Sequence, residues 1–573
     1  MTVAKYLVSL FPKTGVELIP LFQGGNIMKF IDEVGENPKL KYLVPNHEQA
    51  LAIIVDGYAR LRGFGIGLAT SGPGVTNLMT GIACAYFDSI PCLFLTGQVG
   101  RFHIKGERGV RQRGFQETDV MTMVKPITKF AATLLNPEDA RYLFEKAVYL
   151  AKSGRPGPVV IDIPYDVQRA IVEPSKLKGF VPPPEASVPK SDLAKSVNSI
   201  LNSLKKARRP VLLLGGGIRL SNQVESVRSI VSLLNIPVLT TWSAMDILEF
   251  NHPLFGGNIG INGHQSAHLA VQASDLLISL GNRFTTKGII NEKEFAKNSR
   301  VIAVDIDSAE LNDGLIPVDL KIRADLKEFL PLLLKTLKKS KGKFSSAQWL
   351  KEFQELKSKH YFIDVTVRDH PKYLSPYKFI RTLSGLLRKD DIIVADTGIN
   401  LIWMMQAFRI KKGQRLFSAF GHSPMGYAAT AAIGAYYANK NKKAKIIAAI
   451  GDGGMQMNIQ ELQTIAFNKI PVKIFVFNNH CLGNLKFPCL AQFEGRAHGT
   501  DPASGYAAPN FTQIARAYGL KAITLEPQGD FKRQIKEALD FPGPVLIEIP
   551  IDPEQYIFEN KFSPSAPAPR PSL

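Results

Sequence analysis

Cysteine is scarce in this chain, and none of it falls in a metal-binding pattern. The four cysteines, Cys84, Cys92, Cys481 and Cys489, form no CxxC. That argues against zinc and thioredoxin-like chemistry and for reduced, mostly buried thiols. No apolar run reaches membrane-spanning length, so no membrane partner is expected. The opening MTVAKYLVSLFPKTG is broken by lysines and ends in a turn, so no signal peptide is expected and the cytoplasm is the default location. Acid is in deficit: 70 Lys and Arg stand against 50 Asp and Glu, a formal net charge of +20. The excess is scattered, apart from a lysine-rich stretch at 335–343 that reads as part of a solvated linker, 335–346. Scattered charge argues against a nucleic-acid face and suits attraction of anionic small substrates.

What is present is organised around residues 450–483, IGDGGMQMNIQELQTIAFNKIPVKIFVFNNHCLG. The apolar run 445–450 predicts a buried strand, 451–454 a sharp turn, 457–468 a helix and 472–477 the next strand. This is a βαβ unit, and the carboxyl ends of such strands are where open α/β sheets bind ligands. At those ends stand the carboxylate of Asp452 and the amide of Asn479. Mg²⁺ takes octahedral oxygen ligands, few of them from protein, and fills the rest with phosphate and water. Gly451, Gly453 and Gly454 let backbone N–H groups approach a phosphate at a helix start.

At 573 residues the chain exceeds a single core, and two to four domains are expected. Strands are predicted at 16–22, 40–44, 65–70 and 91–96, with helices at 48–62 and 76–87 between them. Short apolar strands alternating with helices argue a doubly wound parallel sheet. A second such region carries strands at 210–214, 275–280 and 300–305, with Gly215, Gly216 and Gly217 at the end of the first. The third begins near Pro376. It closes on PGPVLIEIPID at 542–552, which nearly repeats PGPVVIDIPYD at 156–166. Two domains with one terminal strand indicate an internal duplication around a different middle domain. The reading is α/β, three doubly wound parallel-sheet domains at 1–175, 189–335 and 370–555, then a Pro-rich tail at 556–573.

Further motifs sit at strand ends. Glu48 follows Pro45-Asn46-His47 at a helix start, where an acid also complements the dipole. Thr70 to Asn77 reads TSGPGVTN and opens the next helix. Phe115-Gln116-Glu117 follows the strand region AYFDSIPCLFLTGQV at 85–99. GHSPMGYAATAAIGA at 421–435 brings a glycine turn onto a helix, with Met425 at the turn. The middle region adds DLLISLGNRF at 275–284 and VDIDSAEL at 304–311.

The GDG…NN spacing resembles the thiamin diphosphate (ThDP) motif, and the whole set resembles the acetolactate synthase (acetohydroxyacid synthase) large-subunit family. The resemblance spans essentially the whole chain except the tail. It implies a pyrimidine-binding first domain, a central domain that holds FAD without net redox, and a diphosphate- and Mg²⁺-binding third domain. It implies decarboxylation of a 2-keto acid, pyruvate foremost, and transfer of the two-carbon unit to a second carbonyl. A related carboligase with another acceptor, such as a keto sugar, and a non-catalytic ThDP-fold subunit are the alternatives. A homodimer or homotetramer with sites at the subunit interface follows from the same resemblance.

Roles carry over residue by residue. Glu48 would hold the aminopyrimidine and Phe115 and Gln116 would line the substrate site. Met425 would wedge the cofactor into its bent form, and the Ser423 carbonyl would hold the pyrimidine amine. Pro73, Asn77, Gly451, Gly453, Gly454, Leu482 and Gly483 would contact ThDP. Asp452, Asn479 and the backbone carbonyl of Cys481 would bind the metal. Gly215, Gly216, Gly217, Arg283, Asp305 and Asp325 would contact FAD. The departures are Lys287, where the biosynthetic enzymes commonly have Arg, and Pro488, where they have Trp, with the polar Asn484 nearby. His422 and His480 fall close to the cofactor where the family is usually not His, and packing or solvent contact is the expected role for each.

Overall fold

Runs of Val, Ile and Leu with few polar interruptions become strands buried on both faces, the signature of parallel sheets. The computed structural model describes residues 1–184, 188–340, 344, 346–361 and 370–558. The N-terminal strands are Leu18–Pro20, Lys41–Leu43, Gly65–Ala69, Cys92–Gln98, Phe130–Thr133 and Val159–Pro164. They lie in the order second, first, third, fourth, sixth, fifth, all parallel, with the first joined to the third through a single bridge at Leu21 and Leu68.

The C-terminal strands are Ile392–Ala395, Arg415–Phe417, Ile446–Gly451, Lys473–Asn478, Lys521–Thr524 and Val545–Pro550. Their order is again second, first, third, fourth, sixth, fifth, and again all parallel. The duplication read from the repeated terminal strand is therefore present in the topology. The sheet between them differs: from one edge it runs Leu320–Arg323, Arg300–Asp305, Leu276–Leu280, Pro210–Leu214, Val238–Thr240, Phe255–Asn258. Its order reverses between Leu276–Leu280 and Pro210–Leu214, a switch point of the dinucleotide-binding type.

The first and third regions meet through two helices, Glu48–Arg62 and Tyr427–Ala438. Small residues let their backbones touch. A Cβ on Gly57 would stand 2.4 Å from the Ala431 carbonyl, and one on Gly434 2.1 Å from the Ile54 carbonyl. Gly57 facing Ala431 and Gly434 facing Ile54 also fix the direction: the helices pack antiparallel.

Three local expectations are corrected. The helix expected over 457–468 is two, Asp452–Met457 and Glu461–Phe467. The break has a cause: Asn458 leaves helical geometry at φ −135° and donates its side-chain N–H to the Gly426 carbonyl at 3.0 Å. The expected turn over 451–454 is instead a helix start, with Gly451 as the N-cap. The expected linker at 335–346 begins inside a helix, Leu326–Lys339, whose apolar stripe of Leu330, Leu333 and Leu337 is buried. The lysines there occupy the solvent face. The tail expected over 556–573 lies outside the described residues beyond Phe558. Among the described residues no helix is long and apolar enough to cross a membrane.

Candidate active site

The βαβ unit delivers its two polar ligands side by side and buried. Asp452 is the first residue of its helix, and its Oδ1 accepts from the Gly453 amide at 2.8 Å. Its Oδ2 is buried with no hydrogen-bond partner, and so is the Asn479 Nδ2. Burial pushes the Asp452 carboxyl up to about 7. A buried acid and amide left unsatisfied are costly unless a ligand completes them. Among the described residues no group of three His, Cys, Asp or Glu could hold a metal by itself. One carboxylate, one amide and a nearby carbonyl fit a metal that takes its remaining oxygens from a diphosphate and water.

The glycines in this corner are required by close approach. A Cβ on Gly453 would stand 2.7 Å from both the Met425 Cε and the Leu482 Cδ2. One on Gly454 would meet the Asp396 Oδ1 at 2.9 Å, and one on Gly483 the Asn479 Nδ2 at 2.9 Å. Met425 and Leu482 are thus packed over the GDG helix start. The cysteine side chain is not aimed at a metal: the Cys481 Sγ donates to the Pro553 carbonyl, and burial pushes the thiol up to about 12.

Three of the nine described non-glycine residues with positive φ lie in or beside the site: Gln116 (63°) and Ser423 (55°) at predicted positions, and His480 (51°) next to Asn479. Such conformations persist only where the surroundings over-determine them. The Ser423 hydroxyl is hydrogen-bonded to that of Thr397 at 2.5 Å. The Cβ of Gln116 lies 3.0 Å from where a Gly72 Cβ would be, and Gly72 itself has φ 58°.

Three carboxylates that the sequence did not single out hold the loop 420–426. Asp396, fully buried at the end of Ile392–Ala395, accepts from the amides of Thr397 (2.9 Å), Gly426 (3.1 Å) and Ala428 (2.8 Å). Burial raises its carboxyl to about 7. Asp88 accepts from the amides of Phe420 at 2.9 Å and Gly421 at 2.7 Å, and from Arg60 at 2.7 Å. Arg60 in turn binds Asp56 at 2.8 Å, which accepts from the Tyr427 hydroxyl at 2.6 Å. The first region thereby clamps both ends of the loop that carries Ser423 and Met425. The only sequence signal was an acid directly after an apolar run, too common to single out.

Glu48 is buried at the start of its helix and accepts from the Asn77 amide at 2.9 Å. Pro73 is the first residue of the helix that carries Asn77. Phe115, by contrast, is 85 % exposed in the single chain. His422 stacks on Phe87 at 5.6 Å between ring centroids. Asn484 is exposed and Pro488 lies inside the helix Gly483–Gln492.

In the middle sheet Gly215 and Gly217 are held against the neighbouring turn: their amides donate to the Leu280 and Gly281 carbonyls at 2.9 and 3.0 Å. A Cβ on Gly216 would meet the Ser243 Oγ at 2.8 Å. Asp305 is mostly buried and raised to about 6. Asp325 caps Leu326–Lys339. Arg283 is half-buried and has no carboxylate partner among the described residues; Lys287 is exposed. Around the carboxyl ends of these strands the side-chain atoms Thr240 Oγ1, Asn258 Oδ1 and Asn282 Nδ2 are buried without partners.

Comparison with known families follows this division. The "thiamine pyrophosphate enzyme" domain families match as N-terminal TPP binding domain over residues 1–123, central domain over 197–333 and C-terminal TPP binding domain over 396–549. Duplicated sheets with a GDG corner are thus those of a thiamin diphosphate enzyme. The chain is 34 % identical to a probable acetolactate synthase large subunit of Methanococcus aeolicus, over 96 % of this chain and 92 % of the relative. It is 33 % identical to the acetolactate synthase large subunit of Lactococcus lactis, over 97 % and 93 %. It is 32 % identical to the acetolactate synthase isozyme 1 large subunit of Escherichia coli, over 97 % and 95 %. The chain belongs to the acetolactate synthase large-subunit family.

Proposed function

We propose that the protein is a ThDP- and Mg²⁺-dependent carboligase that decarboxylates pyruvate and joins the two-carbon unit to a second 2-keto acid. With pyruvate as acceptor the product is acetolactate. The observation that carries this reading is the buried Asp452 Oδ2, an oxygen ligand without a partner, over a glycine corner with no room for side chains, where the unpartnered Asn479 Nδ2 is a donor for a phosphate oxygen. Three folding units at 1–175, 189–335 and 370–555 are part of the same reading.

Asp452, Asn479 and the Cys481 carbonyl would hold the metal, and the amides of 453 and 454 the diphosphate. Met425 and Leu482 would press on the thiazolium side. When bound, ThDP supplies an electron sink for the carbon that loses CO₂. Glu48, buried beside Asn77, would hydrogen-bond the aminopyrimidine. The Ser423 carbonyl would hold the amine of the same ring, on a loop that Asp88 fixes at Phe420 and Gly421. Gln116, in a strained conformation against Gly72 at the start of the helix that carries Asn77, would line the substrate site.

Glu48 and Met425 do not meet within one chain. Glu48 lies nine residues before Gly57 and Met425 six before Ala431. In antiparallel helices that separates them by on the order of 20 Å along the pair, at a rise of about 1.5 Å per residue. Each site therefore takes Glu48 from one copy and Asp452 from another, which makes a homodimer the minimal unit, with a homotetramer as a higher assembly. Exposed Phe115 (85 %) and Phe467 (79 %) suit a covered surface.

FAD is assigned to the middle sheet on the Thr240, Asn258 and Asn282 atoms that lack partners among the described residues at its strand ends, with Arg283 next to Asn282 in the chain. Four unpaired cysteines suit a reducing, cytoplasmic location. The test is purified protein with pyruvate alone. Acetolactate that forms only when both ThDP and Mg²⁺ are supplied supports the proposal; no acetolactate under saturating cofactors overturns it.

A further inference from the structure

The loop 499–506 carries a side chain that neither the motifs nor the family's domain description brings into the site. Tyr506 has a hydroxyl buried without a hydrogen-bond partner, the third such atom in the corner beside Asp452 Oδ2 and Asn479 Nδ2. A Cβ on Gly453 would stand 3.3 Å from this hydroxyl, in the same space as Met425 and Leu482. The phenol faces the Asp452 carboxylate.

Its placement is fixed at several points. The Leu482 amide donates to the Thr500 carbonyl at 2.7 Å, tying the loop to the residue before helix Gly483–Gln492. Asp501 and Ser504 form a reciprocal capping box. The Tyr506 amide donates to the Asp501 carbonyl at 2.9 Å, and Lys486 lies 3.5 Å from the Asp501 carboxylate. A side chain held this firmly, whose buried donor has only the Asp452 carboxylate beside it, is shaped for a ligand.

We infer that Tyr506 is a binding residue for the diphosphate, its hydroxyl donating to a phosphate oxygen over Gly453 once Asp452 is committed to the metal. This rests on the ThDP reading above. A hydrogen bond to an anionic oxygen is short and about twice as strong as a neutral one, so its loss is measurable in affinity.

Tyr506→Phe removes the donor and keeps the ring. Binding of ThDP and of inorganic pyrophosphate, each with saturating Mg²⁺, is measured by calorimetry on wild type and variant, with the thermal midpoint of the cofactor-free protein alongside. The expected result is a Kd raised about tenfold for both ligands and an unchanged cofactor-free midpoint. A ThDP Kd within twofold of wild type, a loss confined to ThDP with pyrophosphate unaffected, or a lowered midpoint that marks a fold element would each overturn the assignment. Wild type that binds neither ligand would instead contradict the ThDP reading itself.

Discussion

The two outer sheets share one strand order, and they share a contact in mirrored form. In the first, Gln98 at the end of the fourth strand donates to Asp162 on the sixth at 2.9 Å. In the third, Asn478 at the matching register donates to Glu548 at 2.6 Å. A long amide meets a short acid in one and a short amide a long acid in the other, so the combined reach is conserved while both residues differ. The surroundings diverge. Asp162 is fully buried with Thr96 as a second donor at 2.6 Å, whereas Glu548 is only half-buried. The strand-end loops diverge most: the third sheet ends on glycines, Asp452 and Asn479, which the proposed function gives to a phosphate–metal unit, and the first on Glu48 and Gln116. Topology was retained after duplication while the strand-end residues diverged, and in the proposed function each copy serves one half of a cofactor.

The largest expected effects separate those halves. Glu48→Gln slows hydrogen–deuterium exchange at C2 of bound ThDP by at least about a hundredfold, the usual range for losing an acid–base group. Its ThDP affinity stays within a few-fold. Asp452→Ala does the converse: Mg²⁺-dependent ThDP binding weakens more than about tenfold, and excess cofactor restores part of the activity. Unchanged exchange in the first variant, or no rescue in the second, would erase the division of labour between the sheets.

A smaller effect tests the clamp. Asp88→Ala strands the buried Arg60 and the amides of Phe420 and Gly421. Breaking such a pair costs roughly 3 kcal/mol, near the low end because Asp56 still binds Arg60. Urea unfolding measures the loss; a change below about 1 kcal/mol would make Asp88 a bystander.

Much of this was legible in the sequence. Helix 48–62 and the strands at 210–214 and 300–305 are found as read, because strong periodicity and flanking glycines leave no alternative there. The two short helices in 452–467 were not separable. Their break depends on the Asn458 bond to Gly426, thirty-two residues away in sequence. The clamp Asp88–Arg60–Asp56–Tyr427 was equally invisible, since each member is an ordinary residue until the antiparallel helix pair assembles it. Motif residues show in sequence because their types are unusual; the residues that position them show only in three dimensions.

The smallest effect concerns pH. Burial raises the Asp162 carboxyl from its ordinary value to about 7. Its contribution to stability is full below about pH 4 and is lost as pH rises through about 7. Asp162→Asn has no proton to lose, so its stability relative to wild type rises from pH 5 to pH 8 in paired urea titrations. A difference that stays flat across that range would remove Asp162 from the account.

The central claim, that each active site is assembled from the first sheet of one copy and the third of another, is tested most directly by complementation. Glu48→Gln and Asp452→Ala chains are co-expressed, purified through separate tags and assayed for acetolactate from pyruvate with ThDP at a level that leaves Asp452→Ala alone inactive. In a mixed dimer one site is built from two intact halves and the other from two altered ones. The expected result is that isolated mixed dimers regain roughly half the wild-type rate, one working site of two. Mixed dimers no more active than either parent would contradict it and return both halves of the site to a single chain.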